Sequence, residues 1–416
     1  MQKENIHVDL LQQSSPSGGQ RASSSLSDTE LTVSDTELFA RIHSLINDAW
    51  FSDIPGDWVV AFSGGKDSTL LLDMVLRMLV SLKPEDYTRI VHVVSNDTLV
   101  ESPLIVDYLY KFINLLNIYV QEKSLPIEIK ITKPEPGNTF WVNMIGRGYP
   151  PPSKMFRWCT EKLKIMPTTQ YLRKQALQSG QVTILLGTRV SESNLRAQSI
   201  RKHADVSHYF GNHPEINNVK TFFPIRDLSD AQVWKYLFNN RSPWGTSYSE
   251  LIRLYKEARG GECPLVVDKS SLSEPSCGER SPRFGCWTCT LVKQDRSLDG
   301  LIQYGHDELG PYAEFREWLI NFTSILENRL PYGRNGGVRK RRDGTIVPGP
   351  LTLSARRTIL RRLQDLELRL GKKLISDVEL RVIKDIWRAD EHMYNFIGEN
   401  ATRALQKQMV SDNNEA

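Results

Sequence analysis

The run Trp58-Val59-Val60-Ala61-Phe62 leads directly into Ser63-Gly64-Gly65-Lys66-Asp67-Ser68, and Thr69 through Leu76 is then strongly apolar. This junction constrains the fold more than any other feature. The first run has the length and β-branched character of a buried strand, and the residues after the loop read as a helix. A strand, two glycines and a helix start make a cradle for an anion. Glycine lets the backbone approach the ligand, the first helical N–H groups point at it, and the helix dipole favours negative charge there. Lys66 adds a formal charge, and Ser63, Ser68 and Thr69 add hydroxyls. The loop is not a Walker A motif, because no glycine stands five residues ahead of the Gly65-Lys66 pair.

The same alternation continues along the chain. Strands are expected at 58–62, 90–95, 127–131 and 183–187, with helices at about 69–82, 103–121 and 165–179. Such alternation predicts an α/β fold, a parallel sheet covered by helices on both faces. Ligands in these sheets bind beyond the carboxyl ends of the strands. That rule gathers three loops: Ser63–Ser68, the stretch Ser95-Asn96-Asp97-Thr98, and Gly187-Thr188-Arg189. Ahead of the first strand, Ser34 and Glu37 have capping-box spacing for a helix reaching about residue 50. Residues 1–33 are rich in Ser, Thr and Gln and are expected to be disordered. A nucleotide-binding domain over 34–260 is therefore expected, ending in a helical stretch over 221–260. A Gly-, Ser-, Pro- and Cys-rich segment over 261–300 follows, then a helical region over 301–416 with helices near 312–328, 353–370 and 376–397.

Four of the five cysteines, Cys263, Cys277, Cys286 and Cys289, lie within 27 residues of that segment. They are too few and too clustered for a secreted disulfide framework, and clustered thiols in a reducing compartment point to a metal site. A segment so poor in apolar periodicity would gain its order from ligation. Four thiolates suit a 4Fe-4S cluster or a structural Zn²⁺, and spacing does not separate the two. Cys159 stands apart in Arg157-Trp158-Cys159-Thr160-Glu161-Lys162. Neighbouring cations would lower its pKa and activate it, and it could replace one of the quartet as a ligand. A buried small hydrophobe is the plain alternative. No window approaches the apolar length of a membrane span, and residues 1–35 lack the apolar core of a signal peptide, so a cytoplasmic protein with no membrane association is expected.

Gly187-Thr188-Arg189-Val190-Ser191-Glu192-Ser193-Asn194-Leu195-Arg196 sets two arginines after a strand. Guanidinium groups there would grip phosphate bidentately, or else form an ordinary ion pair. The net charge of +4 argues for no partner by itself, but 329–373 carries thirteen Lys or Arg against three Asp or Glu. Ala355, Ile359, Leu360, Leu363, Leu366 and Leu370 mark the core side of a helix there. Arg356, Arg357, Arg361, Arg362 and Arg369 are expected to face solvent. Such asymmetry suits a polyanion such as DNA or RNA, or else a solvated surface.

Taken in order, FSGGKDST, RWCTEKLKI, GTRVSES with Arg196, FFPIRDLSDAQVWKYL, ECPLVVD, SCG, RFGCWTCTLV and PGPLTL resemble the phosphoadenylylsulfate reductase-like ATP pyrophosphatases, PP-loop enzymes that split ATP between its α- and β-phosphates. Within them the set is most similar to the DndC- and SspD-type DNA phosphorothioation (DNA sulfur modification) family, over about residues 36–370. The resemblance implies an adenine-nucleotide α-hydrolase-like core and replacement of a non-bridging backbone oxygen of DNA by sulfur, in a restriction or phage-defence system. It implies that Ser63, Gly64, Gly65, Lys66, Asp67 and Ser68 hold the β- and γ-phosphates with Mg²⁺, with Gly187 beside them and Asn96 and Asp97 near adenosine. Arg157, Lys162, Arg189 and Arg196 would neutralise developing charge. Cys263, Cys277, Cys286 and Cys289 would hold a 4Fe-4S cluster. A cysteine desulfurase would supply sulfur, and other subunits of the modification complex would join. Two rival functions remain: a tRNA-thiolating ATP pyrophosphatase, and a non-catalytic DNA-binding subunit that answers to ATP.

Overall fold

The computed structural model describes residues 31–153, 156–192, 209–258, 284–292 and 294–391. Six strands form one sheet in the order β3-β2-β1-β4-β6-β5. They are β1 (Asp57–Ala61), β2 (Val91–Asn96), β3 (Ile127–Thr132), β4 (Val182–Leu185), β5 (Phe210–Asn212) and β6 (Val219–Phe222). All neighbours run parallel except the edge pair β5–β6. The four expected strands are present within two residues of their expected bounds. The helical stretch expected over 221–260 is corrected at its start, because Val219–Phe222 is a strand paired with β4. Its buried Val219, Thr221 and Phe222 were masked in the sequence by the brevity of the run.

Helix α1 (Val33–Trp50) starts two residues earlier than the Ser34–Glu37 box predicts. Thr32 is the cap: its hydroxyl accepts from the Asp35 N–H at 3.1 Å, and the Asp35 carboxylate accepts from the Thr32 N–H at 3.2 Å. Asp35 also pairs with Lys235 at 3.0 Å, so the cap ties α1 to a later helix. Helices α1, α2 (Lys66–Ser81) and α3 (Pro103–Glu122) pack on one face of the sheet. The short α4 (Trp158–Thr160) and a π-turn over Glu161–Ile165 lead into α5 (Met166–Ser179), whose Leu172 covers the other face against Val59, Val182 and Ile184. With both faces covered, β1 and β4 are apolar almost throughout rather than alternating. Helices α6 (Asp230–Asn239) and α7 (Ser249–Glu257) return to the first face.

A second core forms beyond the carboxyl edge. It joins the stretch over 140–163 to α8 (Arg296–Gln303), α9 (Gly310–Ser324), α10 (Leu353–Leu370) and a helix over 377–391. The C-terminal helices thus share their core with an insertion between β3 and α5. In α10 the expected apolar stripe is buried or half-buried, but Arg356 is a correction: it is fully buried. Its guanidinium donates to the Gly146 carbonyl and, at 2.8 Å, to Asp390. It follows Ala355 on the packed side, and a charge there is sustained only by such partners. Arg357, Arg361, Arg362 and Arg369 are exposed as expected. No helix among the described residues is long and apolar enough to cross a membrane.

Candidate active site

Strands β2 and β3 lie to one side of β1, and β4, β6 and β5 lie to the other. Chain direction across the sheet therefore reverses between β1 and β4, and the crevice beyond their carboxyl ends is where ligands bind in such folds. The glycine loop and Gly187-Thr188-Arg189 both emerge there. Gly64 sits at φ +73°, a left-handed conformation that turns successive N–H groups toward one side. Gly65 is the N-cap of α2 and supplies no capping side chain. The first amides reach hydroxyls only at long range: Gly65 N–H donates to Ser63 Oγ and Lys66 N–H to the Tyr255 hydroxyl, each at 3.4 Å. Ser68 holds the loop shape, donating to the Gly65 carbonyl at 2.9 Å and accepting from the Ser63 N–H at 3.2 Å. A Cβ on Gly187 would lie 3.1 Å from the backbone of Asp67 and Ser68, so glycine lets the end of β4 close onto the helix start.

Under the loop four charges alternate in sign. Lys66 Nζ contacts Asp67 at 3.0 Å and Asp230 at 3.2 Å. Arg189 donates from Nε to Asp67 at 2.6 Å and from Nη2 to Asp230 at 2.8 Å. Its Nη1 donates to Ser191 at 2.8 Å and to the Leu228 carbonyl at 3.1 Å. Burial opposes the charge on Lys66, yet Asp67, Tyr255 and Asp230 raise its pKa above the ordinary value. Burial likewise works against the Asp230 carboxylate, and Lys66 and Arg189 outweigh it, lowering its pKa. Arg189 is only 1 % exposed. Of the two readings the sequence leaves for it, a phosphate grip and an ion pair, its fork here engages two carboxylates, a hydroxyl and a carbonyl. Asp230 and Tyr255 were missed by sequence reasoning. Asp230 opens α6 behind the Ser229–Gln232 capping box, so its carboxylate looked like ordinary helix-start chemistry.

The remaining expected residues divide. Asn96 spends its amide on the carbonyls of Leu163 and Lys164, at 3.1 and 3.3 Å, and accepts from Thr132 at 2.8 Å. Asp97 accepts from the Leu99 N–H at 2.9 Å and from Tyr110 at 3.0 Å, and pairs with Lys133 at 3.3 Å. Both side chains thereby shape the carboxyl end of β2. Arg157 is exposed at the N-cap of α4, and Lys162 is half-buried on the π-turn. Arg196, Cys263 and Cys277 lie outside the described residues.

The thiols gather at the same edge of the sheet. Cys286 pairs as an antiparallel bridge with Glu101, just beyond β2, and the Trp287 N–H donates to the Val100 carbonyl at 3.0 Å. A 2.9 Å bond from the Cys289 N–H to the Cys286 carbonyl closes the Cys-X-X-Cys turn. Trp287 between them is buried edge-on against Tyr312 at 5.0 Å and Phe315 at 5.7 Å. The buried Arg316 of α9 donates to the Cys289 carbonyl at 2.7 Å and was also missed. Its signal was a charge on the same helix stripe as Tyr312, Leu319 and Thr323.

Cys159 packs on the same core as Cys286. Burial raises the Cys159 pKa and pushes the Cys286 thiol up to about 12. Lys164, paired with Glu101 at 3.2 Å, faces both thiols. Among the described residues no three Cys, His, Asp or Glu come together as a complete metal site. The donor chemistry of the backbone-fixed Cys-X-X-Cys turn nevertheless fits half of a thiophilic centre.

Tyr255 joins the two ends. Its hydroxyl lies at the Lys66 amide, and its ring meets Phe284 edge-on at 4.7 Å, two residues before Cys286.

Residues 57–292 match the phosphoadenosine phosphosulfate reductase domain, more than half of the chain, and the chain belongs to that family. Its SGGKDS loop stands at the β1–β4 crevice of that domain. Relatives include two proteins of Methanocaldococcus jannaschii, MJ0973 and MJ0066. The first is 26% identical over 65% of this chain and 55% of its own length, and the second is 27% identical over 46% and 33%. The chain thus spans about half the length of the first relative and a third of the second. Among solved structures, FMN adenylyltransferase of Candida glabrata with FMN and the ATP analogue AMPCPP is 13% identical, covering 56% of this chain and 66% of that one at a TM-score of 0.32. The U34-tRNA thiolase NcsA of Methanococcus maripaludis with its 4Fe-4S cluster is 12% identical, covering 69% and 80%, also at 0.32. Neither likeness is close enough to carry function.

Proposed function

We propose that the chain is an ATP pyrophosphatase and sulfurtransferase that helps place sulfur in the DNA backbone as a phosphorothioate. The observation that supports this most is the shared edge: an uncapped glycine loop and a Cys-X-X-Cys turn, joined through Tyr255 and Phe284. A loop shaped for phosphate and adjacent thiols suit activation of an oxygen by ATP followed by attack of sulfur. The loop amides from Ser63 to Ser68 and Lys66 would hold the departing β- and γ-phosphates with Mg²⁺. A non-bridging oxygen of a DNA phosphate would attack the α-phosphorus of ATP and release pyrophosphate. That turns a poor leaving group into AMP.

The outer sulfur of a persulfide, delivered from a cysteine desulfurase, would then displace AMP. The linkage formed is phosphorus–sulfur–sulfur. A thiolate attacking the distal sulfur frees the thiophosphate and leaves a disulfide, which balances the electrons. Arg157 and Lys162 beside Cys159 would offset the charge that builds on phosphorus. Cys286 and Cys289, with Cys159 or with Cys263 and Cys277, would hold the 4Fe-4S cluster. When bound, it supplies iron with affinity for sulfide.

The test is incubation with ATP, Mg²⁺, desulfurase, cysteine and either DNA or tRNA, followed by mass spectrometry of the nucleotides. A sulfur-for-oxygen shift in DNA with stoichiometric pyrophosphate supports the proposal. A thiolated tRNA base would transfer the chemistry to RNA. ATP binding without pyrophosphate release would leave a DNA-binding subunit.

A further inference from the structure

The basic region over 329–373 does not act as one charged face. Arg356 is buried on Asp390, Arg334 donates to the Arg147 carbonyl and to Asp390, and Arg329 donates to the Gly349 and Pro348 carbonyls. Arg357 pairs with Glu391 at 2.6 Å, and Arg369 with Glu314 at 2.9 Å. What projects is a short ribbon. The Arg341 N–H donates to the Thr345 carbonyl and the Val347 N–H to the Arg339 carbonyl, both at 2.8 Å, with Lys340 and Ile346 bridged between. Asp343 closes the turn by accepting from the Thr345 hydroxyl at 2.6 Å and its N–H at 3.0 Å. Every residue from 337 to 346 is exposed.

Four consecutive cations, Arg339 to Arg342, thus stand on a two-stranded finger against the single carboxylate Asp343. Side chains alternate between the faces of a ribbon, so Arg339 and Arg341 share one face while Lys340 joins Val338 and Ile346 on the other. Val338 and Ile346 are each 44% exposed, apolar groups left in water beside the charges. A two-stranded ribbon fits the major groove of a duplex, where cations on both faces can meet phosphates on either wall.

The root of the finger is fixed near the thiols. The Leu351 N–H donates to the Gly148 carbonyl at 2.7 Å, and Tyr149 meets Trp158 at 5.6 Å, one residue from Cys159. Trp158 in turn donates to the Pro150 carbonyl at 2.9 Å.

We propose that the ribbon over 338–347 is a nucleic-acid finger that docks a polynucleotide backbone beside the cysteine end of the site. This deepens the function proposed above by naming the surface that holds its substrate.

The experiment compares the full chain with a variant carrying Arg339→Ala, Lys340→Ala, Arg341→Ala and Arg342→Ala. A control variant has Lys83, Lys123, Lys384 and Arg388, exposed cations elsewhere, changed to alanine. Anisotropy with labelled duplex DNA, single-stranded DNA and an RNA hairpin is read over a series of salt concentrations. The finger variant should bind its preferred polymer about tenfold or more weakly and lose roughly two to three units of salt slope, while the control changes little. Preference for duplex DNA or for RNA identifies the source of the phosphates. Equal losses in both variants, or none in the finger variant while the wild type binds, overturn the finger and leave the chemistry standing. A wild type that binds no polymer overturns both. ATP binding by the finger variant, measured without nucleic acid and compared with wild type, shows separately that the ATP site survives.

Discussion

The two ends of the candidate site are built on opposite electrostatic plans. At the glycine loop, Lys66, Asp67, Arg189 and Asp230 neutralise one another at 2.6–3.2 Å. The loop is braced by ion pairs within the protein, and its first amides meet hydroxyls at 3.4 Å. At the thiol end, burial raises the Cys286 pKa, and the thiol is placed by backbone bonds and tryptophan packing. Lys164, the Thr98 hydroxyl at 3.4 Å and, on binding, a metal ion favour the thiolate there. The first end is preorganised in charge and the second only in position. One end is therefore suited to receiving a polyanion, the other to receiving a cationic centre.

If that division is right, each end should fail without the other. Lys66→Ala removes the cation at the loop and should cut pyrophosphate release about 10²–10³-fold, the scale of losing one preorganised charge. Bound iron and sulfide should be unchanged. Cys286→Ser should do the reverse: most of the iron and the brown absorbance of anaerobically purified protein are lost, with pyrophosphate release falling by less than about tenfold. A colourless wild type holding one zinc would replace the iron assignment. Parallel loss of both readouts in either variant would show that the ends are one cooperative unit.

Arg189 and Lys66 sharpen the contrast inside the loop itself. Both meet the same two carboxylates, but Arg189 is the deeper brace and makes the most bonds. Arg189→Ala strands Asp67 and Asp230 beside one remaining cation. Removing one partner of a buried pair costs about 3–5 kcal/mol, and the partial exposure of Asp230 places this case toward the lower figure. Arg189→Ala should lower the urea midpoint clearly more than Lys66→Ala does. Equal midpoints would return Arg189 to the phosphate-binding role that the sequence suggests.

The sheet and the loop were legible because their signals are local. Trp58–Phe62 is one apolar run, and Gly64-Gly65 follows without a gap. Strand β6 was hidden because four residues carry too little periodicity to outweigh the helix that follows. The misread side chains share another cause. Arg189 and Arg356 look like ligands or surface charges until their partners Asp230 and Asp390 arrive from 41 and 34 residues away. Spacing in sequence gives no hint of such a meeting. Tyr255 escaped for the same reason, since its contacts with Lys66 and Phe284 are purely tertiary.

The smallest expected effect concerns the junction where α7 approaches the cysteine region. His306 contacts Glu257 at 3.0 Å and Glu308 at 3.2 Å. Burial alone would lower its pKa, but hydrogen bonds and attraction from both carboxylates raise it above the ordinary value. A group whose folded pKa is raised stabilises the fold fully below its unfolded value, near 6.5, and loses that contribution as pH rises through the folded value. The wild type should therefore lose a small part of its thermal midpoint as pH rises above about 6.5, relative to a His306→Gln variant whose midpoint lacks this component. Pyrophosphate release should not follow that profile, because His306 bonds to Glu257 and Glu308, outside the Lys66, Asp67, Arg189 and Asp230 network, and α7 meets the loop through the separate Tyr255 hydroxyl. A release profile that tracks the His306 titration would show that the junction is coupled to the loop, and the separation of the two ends would fail.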